Sequence, residues 1–182
     1  MGRMIPEARL EETEDGLVPK GDGWFVINAR DAVWYERGPR GRVMTFEGEP
    51  EFEQYGVNLF VLDPGNPMSM YHWEADQEDF IVLHGEALLI AEGQERPLRQ
   101  WDFVHCPVNM SHVIVGAGNG PCVVLAVGAR EHQEGEDWGG YPVDETALRH
   151  DAGVERETND PREAYARFPQ RQTTRYQDGW LP

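Results

Sequence analysis

Between residues 24 and 127 the apolar segments are short, and each ends at turn-forming residues. The segments fall at 24–28, 42–46, 57–63, 68–73, 78–84, 87–91, 102–106, 111–115 and 122–127. Between them stand Asp63-Pro64-Gly65-Asn66-Pro67, Glu92-Gly93, Pro107-Val108-Asn109 and Gly116-Ala117-Gly118-Asn119-Gly120-Pro121. Closely spaced strands with such punctuation read as a sandwich or barrel. No helical period runs through the region, and no strand–helix alternation suggests a parallel sheet. The expected class is all-β, with one barrel domain over 23–130.

The flanks differ. Residues 1–22 are polar and acidic without a sustained period, which reads as an N-terminal arm or disordered tail. Residues 131–182 form a C-terminal extension. It begins with a Gly-rich acidic linker over 131–141, and 144–150 has room for one or two helical turns. Asp160-Pro161-Arg162-Glu163 is a helix start: a capping residue, proline in the first turn, and glutamate three residues after the cap. Pro169 should end that helix by Phe168. Tyr176, Trp180 and Leu181 close the sequence and need something to cover them.

Composition narrows the partners. Of 182 residues, 33 are acidic and 16 basic, a net charge of −17. Binding to a phosphate backbone needs a basic face, so nucleic acid is not an expected partner. An anionic membrane surface is disfavoured for the same reason. No apolar run approaches the ~18 residues of a membrane span. No secretory leader opens the sequence. Two cysteines, Cys106 and Cys122, cannot make a disulfide scaffold. The expectation is a cytoplasmic protein with free, buried thiols.

Four of six histidines fall within 72–112. Extended chain alternates faces, so His72 and Glu74 share a side, and Glu78 shares one with Phe80, Val82 and His84. A turn at Ala75-Asp76-Gln77 would fold Glu78 opposite His72. His112 follows the turn at 107–110. Two imidazoles and one or two carboxylates converging in a barrel mouth suffice to hold a divalent metal. Without a cation, Glu74 and Glu78 would face each other, and one carboxyl pKa would rise.

These residues resemble the cupin superfamily over roughly 57–130. His72-x-Glu74-x3-Glu78-x6-Gly85 follows the first cupin motif, and Pro107-x-Asn109-x2-His112 follows the second. Glu74 stands where the motif has its second histidine. Trp101 and Asn109 stand at two motif glycines, and Gly116 at the terminal asparagine. The resemblance implies a double-stranded β-helix, the cupin jelly-roll barrel, with a short helical extension. It implies a metal, Fe, Mn or Zn, on His72, Glu74, Glu78 and His112. If Glu74 swings away, the other three remain as a 2-His-1-carboxylate set. Met70, Phe80, His105 and Ile114 would shape the pocket. The implied function is a metal-dependent enzyme, oxygenase-like or isomerase-like, acting on a small organic molecule. The alternative is a non-catalytic module binding a small molecule or metal. A homodimer is expected. The extension should then wrap a barrel, and the partner's barrel is slightly preferred to its own.

Overall fold

Alternation along the strands builds the barrel, and the extension seals its outside. The computed structural model describes residues 4–133, 135 and 138–182. Among these, the strands are β1 (Arg9–Thr13), β2 (Gly16–Lys20), β3 (Val33–Glu36), β4 (Arg42–Thr45), β5 (Tyr55–Leu62), β6 (Trp73–Glu74) and β7 (Glu78–His84). They continue as β8 (Glu86–Ala91), β9 (Gln94–Arg99), β10 (Phe103–Cys106), β11 (His112–Ala117), β12 (Cys122–Ala129), β13 (Gly139–Gly140) and β14 (Gln172–Arg175). The helices α1 (Glu145–Arg149) and α2 (Pro161–Ala164) are short. A 3₁₀ turn at Gly38–Arg40 links β3 to β4. The fold is mostly β, a double-stranded β-helix.

One sheet has seven strands in the order β10-β7-β12-β5-β4-β3-β14. Facing it is a three-stranded sheet, β11-β8-β9. Every pairing within them is antiparallel. Between the sheets lie Phe80 and Val82 of β7, Ala87 and Leu89 of β8, Val104 and Cys106 of β10, and Cys122, Val124 and Ala126 of β12. Each strand contributes alternate residues, as the pleat requires.

The other faces are also buried. On the seven-stranded sheet, Trp34, Met44, Leu59, Val61 and Val123 pack under Trp180, Tyr176 and Leu181. Trp180 meets Trp34 edge-on at 5.3 Å between ring centroids. On the three-stranded sheet, Val113 and Val115 pack with Ala147 and Ala152 from the extension. That double cover explains why β11 is buried on both faces. The extension also adds β14 to β3 as an edge strand. It lies on its own barrel, whereas the sequence reading slightly preferred a partner's.

Several expected elements differ. Residues 9–20 form the β1–β2 hairpin and do not trail as a disordered tail. The hairpin is held by bridges from Leu17 to Ala32 and from Lys20 to Glu49. Residues 1–3 of the arm, and 134, 136 and 137 of the linker, lie outside the described residues. The segment 24–28 makes only one bridge, Glu7 to Trp24, and is not a strand. Segment 68–73 contributes bridges and the start of β6 rather than a full strand. Strands β3, β9 and β14 have no counterpart among the expected segments. Pro97 and the charged residues of β9 hide its strand character, and β14 pairs only because β3 offers an edge. The expected cap forms, the Asp160 side chain accepting from the Arg162 amide, and α1 carries a further one, the Asp144 side chain accepting from the Ala147 amide.

Candidate metal centre in the barrel mouth

A backbone bridge between residues 40 apart in sequence brings the two histidines together. The His72 amide donates to the His112 carbonyl at 3.1 Å, and the His112 amide to the His72 carbonyl at 2.8 Å. Residues that exchange both bonds in an antiparallel pair project side chains to the same face. The imidazole centroids are 5.0 Å apart. Glu78 opens β7 on the same inward parity as Phe80 and Val82, and its carboxylate meets both rings. Its Oε2 lies 3.2 Å from His112 Nε2 and 3.5 Å from His72 Nε2. Glu74 Oε1 lies 3.3 Å from His72 Nε2.

Two carbonyl oxygens fix the ring orientations. His72 Nδ1 is 2.8 Å from the Met70 carbonyl, and His112 Nδ1 is 3.0 Å from the Met110 carbonyl. A carbonyl only accepts, so each Nδ1 carries the proton and each Nε2 faces the cluster. That is the arrangement of metal-ligating histidines. One ligand atom each from His72, Glu78 and His112 lies within 4.8 Å of the others. His112 Nε2 and Glu78 Oε2 are buried without a hydrogen-bond partner, since their 3.2 Å approach lacks hydrogen-bond alignment. Buried polar atoms left unpaired are costly, so this pair fits a cation as the missing partner.

The charges are shared among the four groups. Burial alone would push the His72 pKa down, but Glu74 and Glu78 together outweigh it and hold it up at about 10. Burial likewise opposes protonation of His112, and Cys106 and Glu78 raise its pKa to about 9. Burial would raise the Glu78 pKa, and the two imidazoles bring it well below the usual carboxylate range. The expected rise from carboxylate repulsion is therefore not found at Glu78. The histidines supply the balancing positive charge.

The cluster opens into a cavity of about 340 Å³. Small residues leave the room: Gly128 pairs with Gly56 on one side and Glu78 on the other, and Ala126 pairs with Asn58. Phe80 lines the cavity. The other three residues assigned to the pocket from sequence do not. His105 faces outward because Val104 and Cys106 face in, and its Nδ1 pairs across the strands with Asp79 at 2.7 Å. Ile114 is sealed between the sheets, two residues beyond His112. Met70 packs with Tyr141, Val154 and Ala164 on the outer side of the mouth.

Residues far from the motifs complete the wall. Tyr141 stacks against His72 at an interplanar angle of 28°, with centroids 6.0 Å apart. The Tyr165 hydroxyl accepts from the Met70 amide at 3.1 Å. Burial, and Tyr165 beside it, push the Tyr141 pKa far up, so its hydroxyl stays protonated. Arg37 and Arg40, from the 3₁₀ connection, reach the same cavity. No sequence spacing relates these four residues to the histidines.

Residues 58–128 match the family model described as a Cupin domain. That segment carries a cupin domain. No curated protein matches the chain. Among solved structures it is similar to a putative sugar phosphate isomerase from Acidithiobacillus ferrooxidans, at 26% identity over 50% of this chain and 62% of that one, with a TM-score of 0.45. It is similar to a sugar phosphate isomerase from a cupin superfamily from Silicibacter pomeroyi, at 27% identity over 56% and 62% of the two chains, TM-score 0.45. It is also similar to a Cupin 2 conserved barrel domain protein from Salinispora arenicola, at 19% identity over 62% and 92%, TM-score 0.48. The chain spans less than two thirds of the first two. Arg37, Arg40, Tyr141 and Tyr165 all lie outside the matched segment.

Proposed function

We propose that this cupin is a metal-dependent enzyme acting on a small organic molecule in the barrel mouth. His72, Glu78 and His112 would hold a divalent ion, Fe, Mn or Zn, with Glu74 as fourth ligand. The observation that carries this reading is the pair of buried, unpartnered atoms, His112 Nε2 and Glu78 Oε2, beside a histidine whose tautomer is already set. Two imidazoles with oxygen ligands suit these metals. Such an ion supplies Lewis acidity or an oxygen-binding position. The protein's own contribution is orientation. The Met70 and Met110 carbonyls hold the rings, Phe80 keeps one wall apolar, and the protonated Tyr141 hydroxyl offers a hydrogen bond to a ligand.

The alternative is a binding module without turnover on the same residues. Protein purified without chelator should contain close to one equivalent of metal by elemental analysis. His112→Ala should lose it, and Glu74→Gln should retain a weakened site. Absence of metal in the wild type after supplementation would refute the proposal. Turnover on a substrate panel, with and without air, separates enzyme from module. A homodimer and a cytoplasmic location remain part of the proposal. No described helix is long and apolar enough to cross a membrane. Strand β10 is a sheet edge that begins at exposed Phe103 and is preceded by exposed Trp101, and it is the face a second copy would use. Sedimentation of the full chain tests the dimer.

A further inference from the structure

The cavity joins two chemically different groups. Glu74 and Glu78 meet His72, while Arg37 and Arg40 enter from the 3₁₀ turn. Arg37 is the one buried arginine among the described residues, at 6% exposure. Buried guanidinium groups are normally paired with acids. Acidic partners do engage Arg9, Lys20, Arg42, Arg130, Arg149 and Arg156. Among the described residues none lies within ion-pair distance of Arg37 or Arg40. The contrast is sharpest with Arg130, which lines the same cavity but spends its charge on Glu47, at 2.6 and 3.0 Å.

The two arginines are held in place by neutral groups. Arg37 donates to the Met68 carbonyl at 2.9 Å and the Arg40 carbonyl at 2.6 Å, and lies over the Phe60 ring at 4.9 Å. Arg40 lies 4.6 Å from the Tyr165 ring centroid and 5.1 Å from that of Phe168. Aromatic faces orient a guanidinium without neutralising it. Both Nε atoms remain buried without a hydrogen-bond partner. Burial first, and the Arg40 charge second, bring the Arg37 pKa down to about 9. Among the described residues these two adjacent cations thus lack an anion.

We propose that the ligand of the barrel mouth is a small organic anion, whose carboxylate or phosphate is received by Arg37 and Arg40 while its remainder faces His72, Glu78 and His112. The inference rests on reading that cluster as the reaction centre. A planar guanidinium matches either oxyanion. At the other end the carboxylates of Glu74 and Glu78 already face the histidines, so the anionic group seats at the arginine end.

The test uses calorimetric titration of the full chain with inorganic phosphate and, separately, succinate, with sorbitol as the neutral control. Chelator-treated and metal-loaded protein are both titrated, for the wild type and Arg40→Gln. Arg40 suits the test because its side chain makes no hydrogen bond to a described residue, so its loss spares the fold. Arg37→Lys is the second variant, keeping the charge while removing the fork. The expected result is binding of at least one anion and none of sorbitol. Arg40→Gln should weaken that binding about tenfold or more, the scale of one charge-assisted hydrogen bond, with metal content unchanged. A response to phosphate alone or succinate alone names the group. Wild-type affinity in Arg40→Gln, or no anion binding in either form of the wild type, overturns the proposal. A wild type without metal that still binds anion through Arg40 would sink the metal reading and leave this one standing.

Discussion

His72 and Glu78 stabilise the metal-free protein over a defined pH window. The folded His72 pKa, about 10, lies above its ordinary value of 6.5. That contribution is complete below pH 6.5 and fades as pH rises toward 10. The folded Glu78 pKa lies below its ordinary 4.5, so its contribution is complete above 4.5 and is lost as pH falls below it. The cluster therefore stabilises the metal-free protein most between these two ordinary values. Metal requires both Nε2 atoms free of protons. The melting temperature gained on metal loading should grow from about pH 6 to about pH 9. Parallel melting curves across that range would contradict the shared-proton arrangement. A second residue-scale expectation concerns Trp101 and Asn109, at φ 76° and 65°. Both occupy positions where the cupin motif has glycine, and both keep the left-handed backbone. Asparagine tolerates it, whereas tryptophan bears a cost of ~1–2 kcal/mol. Trp101 is 68% exposed in the single chain, so little packing within its own barrel is lost with it, and the expected gain is that of the protein diluted below dimer formation. Trp101→Gly should raise unfolding free energy by about 1 kcal/mol in denaturant titration. A destabilised variant would show that the side chain has a partner.

At the scale of elements, the C-terminal segment behaves as part of the core. Trp180 is 8% exposed and sits against Trp34 and Tyr176, with the Arg42 guanidinium 5.0 Å from its ring. Large aromatic truncations in such sites cost ~3–5 kcal/mol. Trp180→Ala should therefore lower the melting temperature by roughly 6–20 °C, at ~2–4 °C per kcal/mol for a chain of this size. An unchanged melting temperature would mean the tail is loosely held. The capped helices act differently. Both α1 and α2 are too short to persist alone. Their caps aim Ala147 and Ala164 into apolar clusters that only the folded barrel provides.

For the whole molecule, the extension connects stability with the candidate site. It covers the outer face of each sheet, adds an edge strand, and supplies Tyr141 and Tyr165 to the mouth. Deletion of residues 142–182 should expose Val113, Val115, Trp34 and Leu59 together. The expected outcome is aggregation, or a melting temperature lowered by more than Trp180→Ala alone produces. A soluble truncation with the full-length melting temperature would separate the extension from the fold.

The barrel and the candidate ligands were legible in the sequence because both follow from local rules. Period-two alternation places Glu78 with Phe80 and Val82, and turn residues mark where strands stop. Spacing around those turns puts His72, Glu74, Glu78 and His112 at cupin positions. What sequence could not settle depends on distant pairing or on which surface a second face meets. His105 lies outside the pocket because β10 pairs with β7 in a register that turns Val104 and Cys106 inward. Ile114 and Met70 are buried away from the cavity, since burial alone does not say against what. The hairpin of residues 9–20 is tied to the barrel by bridges to Ala32 and Glu49, and the strand β14 exists because β3 offers it an edge. Arg37, Arg40, Tyr141 and Tyr165 reach the mouth only after the 3₁₀ turn and the extension have folded over it. Alternation and turns are short-range properties written residue by residue. The contacts that complete the mouth join segments about a hundred residues apart, and tertiary packing alone decides them.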